Sequence, residues 1–314
     1  MSALKVIQPG FLSLLMDAGR LGQHGLGLTT GGPLDEISFY WANRLCQNPN
    51  NTTLIEASVG GLELEALANT SLAVTGANMP LTINGQSKPL WATHSVRTGD
   101  KIKLGFATAG ARCYLAVAGG FDIEPQFGST ATVVREGIGG LNGKALAAGD
   151  QLALGQAVNT IDDQYLALEA QPTFASNISV RVILGYQEQH FSAAQKALFF
   201  SNSYEVSNQC NRMGYRLTGP AIKCEIGGIV SEGICLGAIQ VPADGQPIVL
   251  LHDRQTIGGY PKLGAVFSGD LYKLGQLMPG ANLHFEAMDI YQAQAELLLE
   301  QRRREQQALT KGTP

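Results

Sequence analysis

The chain has 314 residues, of which 45% are hydrophobic and only 15% are charged, and its formal net charge is −4. A charged fraction well below the usual quarter indicates a large interior, or a surface buried against a partner. The slightly acidic balance, with no basic stripe before the C-terminal tail, gives no support for nucleic-acid binding.

The length suits two domains of ordinary size, and the 38 glycines favour a β-rich chain with many turns. Five cysteines, an odd number without CxxC spacing, argue against a disulfide framework and against a cysteine zinc site. Residues 1–16 lack the layout of a signal peptide, and no apolar run approaches the ~18 residues of a membrane span. We therefore expect a cytoplasmic protein that binds neither membrane nor nucleic acid.

Short apolar runs separated by Gly, Asn, Asp or Pro predict strands joined by tight turns along most of the chain. Three helices are predicted among them. The first begins at Pro33, which suits a first helical position, and apolar residues recur behind it at helical spacing. A short second helix follows Ser192 as its N-cap, and a third covers residues 289–307. The fold class predicted from this pattern is mainly β with a few helices.

Six short motifs occur twice in the same order and indicate an internal duplication. The first series is Asn43-Arg-Leu, Val59-Gly-Gly-Leu62, Gly76-Ala77, Gly85-Gln86, Gly99-Asp-Lys-Ile-Lys-Leu-Gly105 and Gly110-Ala-Arg, and the second is Asn211-Arg-Met, Ile226-Gly-Gly-Ile229, Gly237-Ala238, Gly245-Gln246, Gly269-Asp-Leu-Tyr-Lys-Leu-Gly275 and Gly280-Ala-Asn. Because glycine is so frequent, each pair alone could be a coincidence, and a third Gly-Asp turn at residues 149–155 weakens the case. A duplication predicts two halves, each a β-barrel or curled sheet with one helix, connected by the polar stretch at 156–177. We place the domains at 1–165 and 166–314.

The strongest candidate for a functional site lies at residues 240–261. A hydrophobic run at 248–251 ends in the polar cluster His252-Asp253-Arg254-Gln255-Thr256, and Gly258-Gly259-Tyr260-Pro261 follows. A buried strand that ends in polar side chains and a glycine-bent loop is a common way to present chemistry at the rim of a fold. A catalytic relay between His252 and Asp253 is not expected, because adjacent residues of a strand face opposite ways.

Two further polar motifs are candidates for anion binding. In Asn211-Arg212-Met-Gly-Tyr215-Arg216, an extended chain would point both arginines to one face, where they could hold one anion. In the N-terminal part, Asp17 and Arg20 flank a glycine turn, and Asp35 falls in the first turn of the first helix. The structural alternatives are solvated arginines, a surface Asp–Arg pair, and a carboxylate that complements the helix dipole.

Several kinds of site lack support in the sequence. No histidine pair has metal-ligand spacing, so no metal is expected. No Gly-x-Ser-x-Gly elbow supports a serine nucleophile. The glycine-rich residues 137–144 have the wrong spacing for a phosphate-binding loop, and residues 22–27 have the dinucleotide glycines in the wrong order.

The motifs Asp17-x-Gly-Arg-x-Gly, Gly32-Pro-Leu-Asp-x-x-Ser38, Asn211-Arg-Met-Gly-Tyr-Arg-Leu and Asp253-x-Gln-Thr-x-Gly-Gly-Tyr-Pro261 resemble the biotin-dependent carboxyltransferase-like family. The resemblance covers roughly residues 5–295. It implies two tandem cyclophilin-like β-barrel domains, in agreement with the repeat. It also implies one component of a 5-oxoprolinase, an enzyme that opens 5-oxo-L-proline to L-glutamate with cleavage of ATP to ADP and phosphate.

The same resemblance implies partners and cofactors. The partners are a B component, similar to a Kip-type inhibitor of a sporulation kinase, and an A component; which of the chains binds ATP is left open. No biotin-carrier Met-Lys-Met motif occurs, so any carboxylated biotin would come from elsewhere. Two other functions stay open, namely a regulatory binding protein without chemistry of its own and the carboxyltransferase half of a urea-carboxylase-like enzyme.

Roles for individual residues follow from the resemblance by type and position. Arg212 and Arg216 would hold a carboxylate or developing phosphate charge, Asp253 and Gln255 would orient the amide or water, and Tyr260 would wall the pocket. The further expected binding residues are Asn211, Tyr215, Gln240, Thr256, Gly258, Gly259, Arg20, Asp17 and Asp35.

Overall fold

Strands account for most of the regular structure, which confirms the predicted mainly β architecture. The computed structural model describes residues 2–155 and 161–314. The chain divides into two units: unit 1 comprises Met1–Gly22, Gly31–Phe174 and Gln307–Pro314, and unit 2 comprises Gln23–Thr30 and Ala175–Gln306. The predicted connection at 156–177 begins outside the described residues, and the predicted boundary between residues 165 and 166 stays a prediction.

The strands of unit 1 form two main sheets. They are β1 (Ser2–Pro9), β2 (Leu12–Met16), β3 (Leu54–Ser58), β4 (Leu62–Ala66), β5 (Thr70–Asn78), β6 (Leu81–Ile83), β7 (Gln86–Lys88), β8 (Thr93–Val96), β9 (Lys101–Leu104), β10 (Ala109–Val117), β11 (Gln151–Ala153), β12 (Gln164–Tyr165) and the C-terminal β22 (Thr310–Lys311). A six-stranded sheet has the order β11-β1-β4-β9-β6-β7, and a five-stranded sheet has the order β2-β3-β10-β5-β8. Strand β12 pairs only with β22 among the described strands.

The core of unit 1 is aliphatic and is supplied by both sheets. Leu4 and Leu64 of one sheet and Leu72 and Leu115 of the other are 0–1% exposed and belong to one cluster. Along β4 and β9, buried residues alternate with more exposed ones, which is the period-2 pattern of strands with one buried face.

Helix α1 (Glu36–Leu45) packs on the five-stranded sheet of unit 1 and buries Phe39, Ala42 and Leu45. It begins three residues later than predicted from Pro33. Asp35 is the N-cap, because its carboxylate accepts hydrogen bonds from the Ser38 amide at 2.9 Å and the Ser38 hydroxyl at 2.6 Å. A side chain that caps the helix stabilises its start more strongly than the dihedral preference of Pro33.

Seven strands of unit 2 close into a barrel, with the order β13-β20-β17-β18-β15-β14-β21. The strands of unit 2 are β13 (Asn177–Leu184), β14 (Ser203–Asn211), β15 (Gly214–Thr218), β16 (Glu232–Gly233), β17 (Ala238–Gln240), β18 (Ile248–Leu250), β19 (Ile257–Gly258), β20 (Lys262–Val266) and β21 (Asn282–Ala287). Parallel pairing of β13 with β21 completes the closure. The predicted barrel is therefore present in the second half.

The helices of unit 2 are α2 (Ala193–Ser201), α3 (Leu271–Gly275) and α4 (Ile290–Gln306). The predicted helices after Ser192 and at 289–307 are confirmed, and the Ser192 hydroxyl caps α2. Phe199 of α2 stacks on Phe285 of β21 with ring centroids 4.4 Å apart, so α2 contributes to the core of unit 2. None of the helices in the described chain is long and apolar enough to cross a membrane.

A segment that we call the flap, residues 226–236, lies against the stretch that leads out of β18. Its strand β16 pairs with β19 in a two-stranded ladder, Glu232 opposite Gly258 and Gly233 opposite Ile257. Three further hydrogen bonds fasten it: Ile229 N to Gly259 O at 2.9 Å, Ile234 N to Thr256 O at 3.0 Å, and Arg254 Nε to Ile234 O at 3.0 Å. The flap is thus attached directly to the polar cluster predicted to be a site.

The repeated motifs do not all occupy equivalent positions. Asn43-Arg-Leu lies in helix α1, whereas Asn211-Arg-Met lies at a hairpin turn. The Gly99 motif enters strand β9, whereas the Gly269 motif leads into helix α3. These two pairs are therefore coincidences of composition, because a Gly-Asp turn can precede either a strand or a helix.

Candidate functional site

The polar cluster that follows β18 is tied to the hairpin between β14 and β15 by a buried ion pair. Arg212 donates from Nε to Asp253 Oδ2 at 3.0 Å and from Nη2 to Asp253 Oδ1 at 3.1 Å. Both residues are buried, 8% and 7% exposed. Two backbone bonds, Leu251 N to Met213 O and Asp253 N to Arg212 O, both at 2.9 Å, hold the segments in register.

This pairing brings together two predicted site residues that are 41 positions apart in sequence. The planar guanidinium meets the carboxylate in a fork, the geometry that fixes orientation best. Each carboxylate oxygen has a second acceptor direction beyond the one that Arg212 uses. The pair can therefore hold a neighbouring N–H or O–H group while its own charges balance.

Arg216 does not join Arg212 at one anion. Its Nη1 contacts Asp244 Oδ2 at 2.7 Å in a partly exposed ion pair, with 33% and 51% of the two side chains accessible. The expectation of a shared face assumed an extended chain. Arg212 lies in the hairpin turn that follows Asn211, whereas Arg216 lies on β15. Asn211 itself serves that turn, since its Oδ1 accepts from the Met213 amide at 2.8 Å.

Tyr215, also predicted to bind the ligand, is 1% exposed and sits on β15 opposite Val249. It is part of the barrel's interior packing. The remaining C-terminal candidates line the route from the ion pair to β20. Gln255 and Thr256 are half-buried, Gly258 belongs to β19, and Tyr260 is 46% exposed.

Gln240, at the end of β17, carries a buried amide whose Nε2 has no hydrogen-bond partner within the part of the chain described. The residue is 1% exposed. A Cβ atom added at Gly258 would lie 2.9 Å from this nitrogen and 2.7 Å from Ile234 Cδ1. Gly258 therefore packs closely against Ile234 and the Gln240 amide, and a buried donor without an acceptor costs free energy.

Arg254 is a functional candidate to which the sequence analysis gave no role. Its guanidinium donates from Nε to Ile234 O at 3.0 Å and from Nη1 to Leu251 O at 3.3 Å, and no carboxylate among the described residues pairs with it. It is 6% exposed, and burial lowers the pKa of its guanidinium, an effect that the neighbouring Cys235 partly opposes. Its place in the polar cluster was visible in the sequence, but its lack of a counter-charge was not.

A group of polar contacts around Glu232 anchors the flap. The Glu232 carboxylate accepts from the Lys262 ammonium and from Gln187 Nε2 at 2.9 Å. The hydrogen bond from Lys262, then that from Tyr186, lowers the pKa of Glu232. These contacts hold the flap's strand against β20.

The N-terminal candidates lie in unit 1 and bind protein groups there. Asp17 accepts from Ser129 Oγ at 2.5 Å and from Thr130 N at 2.8 Å. Arg20, 0% exposed, donates to the carbonyls of Gln126, Ser129 and Ala131. These contacts favour a structural role, and a ligand role for Asp17, Arg20 and Asp35 stays a prediction.

Comparisons with known proteins place this geometry in a family. The family model described as carboxyltransferase domain, subdomain A and B, matches residues 26–287. A protein of Escherichia coli, named as the C subunit of 5-oxoprolinase, is 34% identical over 92% of this chain and 93% of its own length. One of the same name from Haemophilus influenzae is 32% identical over 89% of both chains.

The structure is also similar to that of the K. lactis urea amidolyase, with a TM-score of 0.92 and 27% identity over 99% of this chain. This chain spans only 20% of that larger protein. A fold of this kind therefore also occurs as one part of a much longer protein.

Proposed function

Because the chain belongs to the family of the carboxyltransferase domain, subdomain A and B, we propose that it is the C subunit of an ATP-dependent 5-oxoprolinase. The observation that carries this proposal is the identity of 34% and 32% with two proteins that bear this name, over most of both chains in each case. The name describes one component of a multi-subunit enzyme. The partners we propose are its A and B components.

The chemistry requires activation of a poor acyl donor. In the proposed reaction, the γ-phosphoryl group of ATP passes to the lactam oxygen and ADP leaves. Water then attacks the activated ring carbon, the C–N bond breaks and the nitrogen takes a proton, which gives the acyl phosphate of glutamate. A second water hydrolyses this acyl phosphate to L-glutamate and phosphate. ATP is the proposed co-substrate of the assembled enzyme, without a resident metal or attached biotin in this chain.

The buried pair of Arg212 and Asp253 supports a positioning role in this reaction. With one acceptor direction of each oxygen used by Arg212, the Asp253 carboxylate has others directed at a lactam N–H or a water. Gln255 follows on the same segment and is half-buried, and Tyr260 offers an exposed aromatic wall. The pair would orient a proton-bearing group without itself changing charge.

The proposed location is the cytoplasm. Five free cysteines, none in a disulfide among the described residues, and two of them fully buried, suit a reducing compartment.

The decisive experiment is a phosphate-release assay that depends on 5-oxo-L-proline. The chain alone, the A and B companions alone, and all three together are compared. We expect turnover only in the full mixture, and Arg212→Ala should lower it by at least about 100-fold, as expected for loss of a preorganised polar group. Arg303→Ala, on the exposed face of α4, is the matched control and should retain turnover. Absence of turnover in every mixture would refute the proposal.

A second candidate is the carboxyltransferase part of a urea-carboxylase-like enzyme, favoured by the TM-score of 0.92 to the K. lactis urea amidolyase. In that case the chain would receive a carboxyl group from a biotin carried by another protein. Urea-dependent ATP cleavage that requires bicarbonate and an added biotin-carrier protein, without any response to 5-oxo-L-proline, would favour this candidate.

A further inference from the structure

The arginines of unit 2 differ in how their charge is balanced. Arg181 is paired with Asp270, Arg212 with Asp253, and Arg216 with Asp244. Arg254 is as buried as Arg212, yet its described partners are two backbone carbonyls, which carry only partial charge. A full positive charge with no counter-ion in the described chain is costly at a largely buried position, and an anionic ligand would reduce that cost.

The geometry of the guanidinium leaves a binding edge. Arginine has five N–H donors in a planar fork. The bond from Nε to Ile234 and the one from Nη1 to Leu251 use one donor each. The donors that remain lie on the Nη1 and Nη2 edge, which matches the two oxygens of a carboxylate.

A second buried donor lies on the other side of Ile234. The Ile234 carbonyl receives the Arg254 Nε bond, while the Ile234 side chain and the Gln240 amide both lie close to Gly258, within 2.7 and 2.9 Å of where its Cβ would be. The Gln240 Nε2 group has no partner within the described residues. Two unrelated observations, an arginine without a carboxylate and an amide without an acceptor, therefore converge on the same flap residue.

We propose that Arg254 and Gln240 form a carboxylate-binding subsite beneath the flap, in which Arg254 binds the carboxylate of a small lactam acid and Gln240 donates to an oxygen of the same ligand. The identity of this acid as 5-oxo-L-proline rests on the proposed function. The subsite explains how the ligand would be held next to Asp253, which directly precedes Arg254 in the chain.

The flap decides access to this subsite. Arg254 is 6% exposed and Gln240 is 1% exposed, so the proposed subsite requires the flap, which contacts both segments, to move before a ligand can bind. The flap is attached by a two-residue ladder and by the contacts of Glu232. Cys235, in the flap, is the exposed one of the five cysteines and so reports on this movement.

The test is direct binding to the complex of this chain with its A and B companions, without ATP, measured by calorimetry. The probes are 5-oxo-L-proline and its carboxamide, which has the same ring but no negative charge. We expect the acid to bind at least about tenfold more tightly than the carboxamide. Arg254→Gln should lower the affinity for the acid by roughly ten- to hundredfold and leave the affinity for the carboxamide unchanged.

Three further variants keep the result interpretable. Gly258→Ala adds a methyl group beside the Gln240 amide and should lower the affinity for both probes. Arg254→Lys keeps the positive charge and should retain part of the preference for the acid. Arg303→Gln on the exposed face of α4 is the matched control and should bind as the wild type does. A thermal melt of each variant separates lost binding from lost folding.

A readout at the flap locates the ligand. Bound acid should slow the alkylation of Cys235 by iodoacetamide, and this protection should disappear in Arg254→Gln. Equal affinity for acid and carboxamide, no binding of either probe, or unchanged acid binding in both Arg254→Gln and Gly258→Ala would overturn the subsite.

The outcomes separate this inference from the proposed function. Turnover of 5-oxo-L-proline with an unchanged KM in Arg254→Gln would refute the subsite and leave the function standing. Acid-selective binding that depends on Arg254, without turnover in any mixture, would refute the function and leave the subsite standing.

Discussion

The buried carboxylate of Asp253 is stabilised by a specific partner, so its substitution should cost more than that of an exposed carboxylate. Asp253 is 7% exposed and accepts two hydrogen bonds from a single guanidinium. The ion pair of Arg216 with Asp244 is a natural comparison, because its two side chains are 33% and 51% accessible.

We expect Asp253→Asn to lower the free energy of unfolding by about 3 kcal/mol, since it leaves Arg212 buried without its counter-charge. Asp244→Asn should cost at most about 1 kcal/mol, because water screens the exposed pair. Urea denaturation of both variants measures the difference. Equal losses of unfolding free energy would show that the buried ion pair stabilises the protein no more than the exposed one.

Asp270 provides a pH-dependent prediction. Burial alone would raise its pKa, but hydrogen bonds from Arg181 and Lys273 outweigh burial and hold the pKa below the usual value. A carboxyl group with a lowered pKa in the folded state contributes stability above the unfolded pKa of about 3.9 and loses it as the pH falls through the folded value. Wild type should therefore lose stability between about pH 5 and pH 2.

The control for this prediction is Asp270→Asn, which removes the titrating group while keeping a similar shape. Its unfolding free energy should change less steeply over the same acid range, although it is lower at neutral pH. Parallel curves for the two proteins, from chemical denaturation at several pH values, would contradict the assignment.

Among the elements, the two capped helices differ in how firmly their starts are fixed. Asp35 is 0% exposed, and both of its carboxylate oxygens accept hydrogen bonds from Ser38. Ser192 makes one cap bond, to the Gln195 amide at 3.4 Å. The prediction of Ser192 as a helix cap is confirmed. The predicted start of α1 was three residues too early, because Pro33 and Asp35 are competing signals for the same helix end.

Replacement of each cap by alanine tests this difference. Asp35→Ala should destabilise the protein by about 2 kcal/mol, and Ser192→Ala by about 0.5 kcal/mol. Thermal unfolding of the two variants gives the comparison. A larger loss for Ser192→Ala would contradict the interpretation of α1 as the more firmly capped helix.

The hairpin between β14 and β15 shows where sequence patterns stop being informative. Alternation predicts that Arg212 and Arg216 share a face, but a turn at the second residue of the motif separates them. Turn position depends on pairing with β18 and β21, strands far away in the sequence. No local pattern encodes such pairing.

For the whole molecule, the low charged fraction of 15% predicts a large interior or a surface that is buried against a partner. Exposed apolar side chains outside α4, among them Phe11 and Phe106 at 75% and 66% exposure, agree with the second of these expectations. The proposed positioning pair is buried, so catalysis and assembly should be separable.

We accordingly expect Arg212→Ala to lose turnover while it still co-elutes with the A and B companions in size-exclusion chromatography. The buried position of Arg212, 8% exposed, keeps its side chain away from a contact surface. Failure of this variant to co-elute, with its own fold intact by circular dichroism, would mean that Arg212 acts through assembly.

Local periodicity and short contiguous motifs were enough to predict the mainly β class, the helices after Ser192 and before the tail, the family, and the segment around Asp253 as the richest candidate site. The pairing of charges was not predictable in this way. In the tertiary structure, Asp253 pairs with Arg212 and Asp244 pairs with Arg216. Among the described residues, Arg254 contacts backbone carbonyls and no carboxylate. The reason is physical, because the energetic effect of a charge depends on its burial and on partners that distant strands bring within about 3 Å.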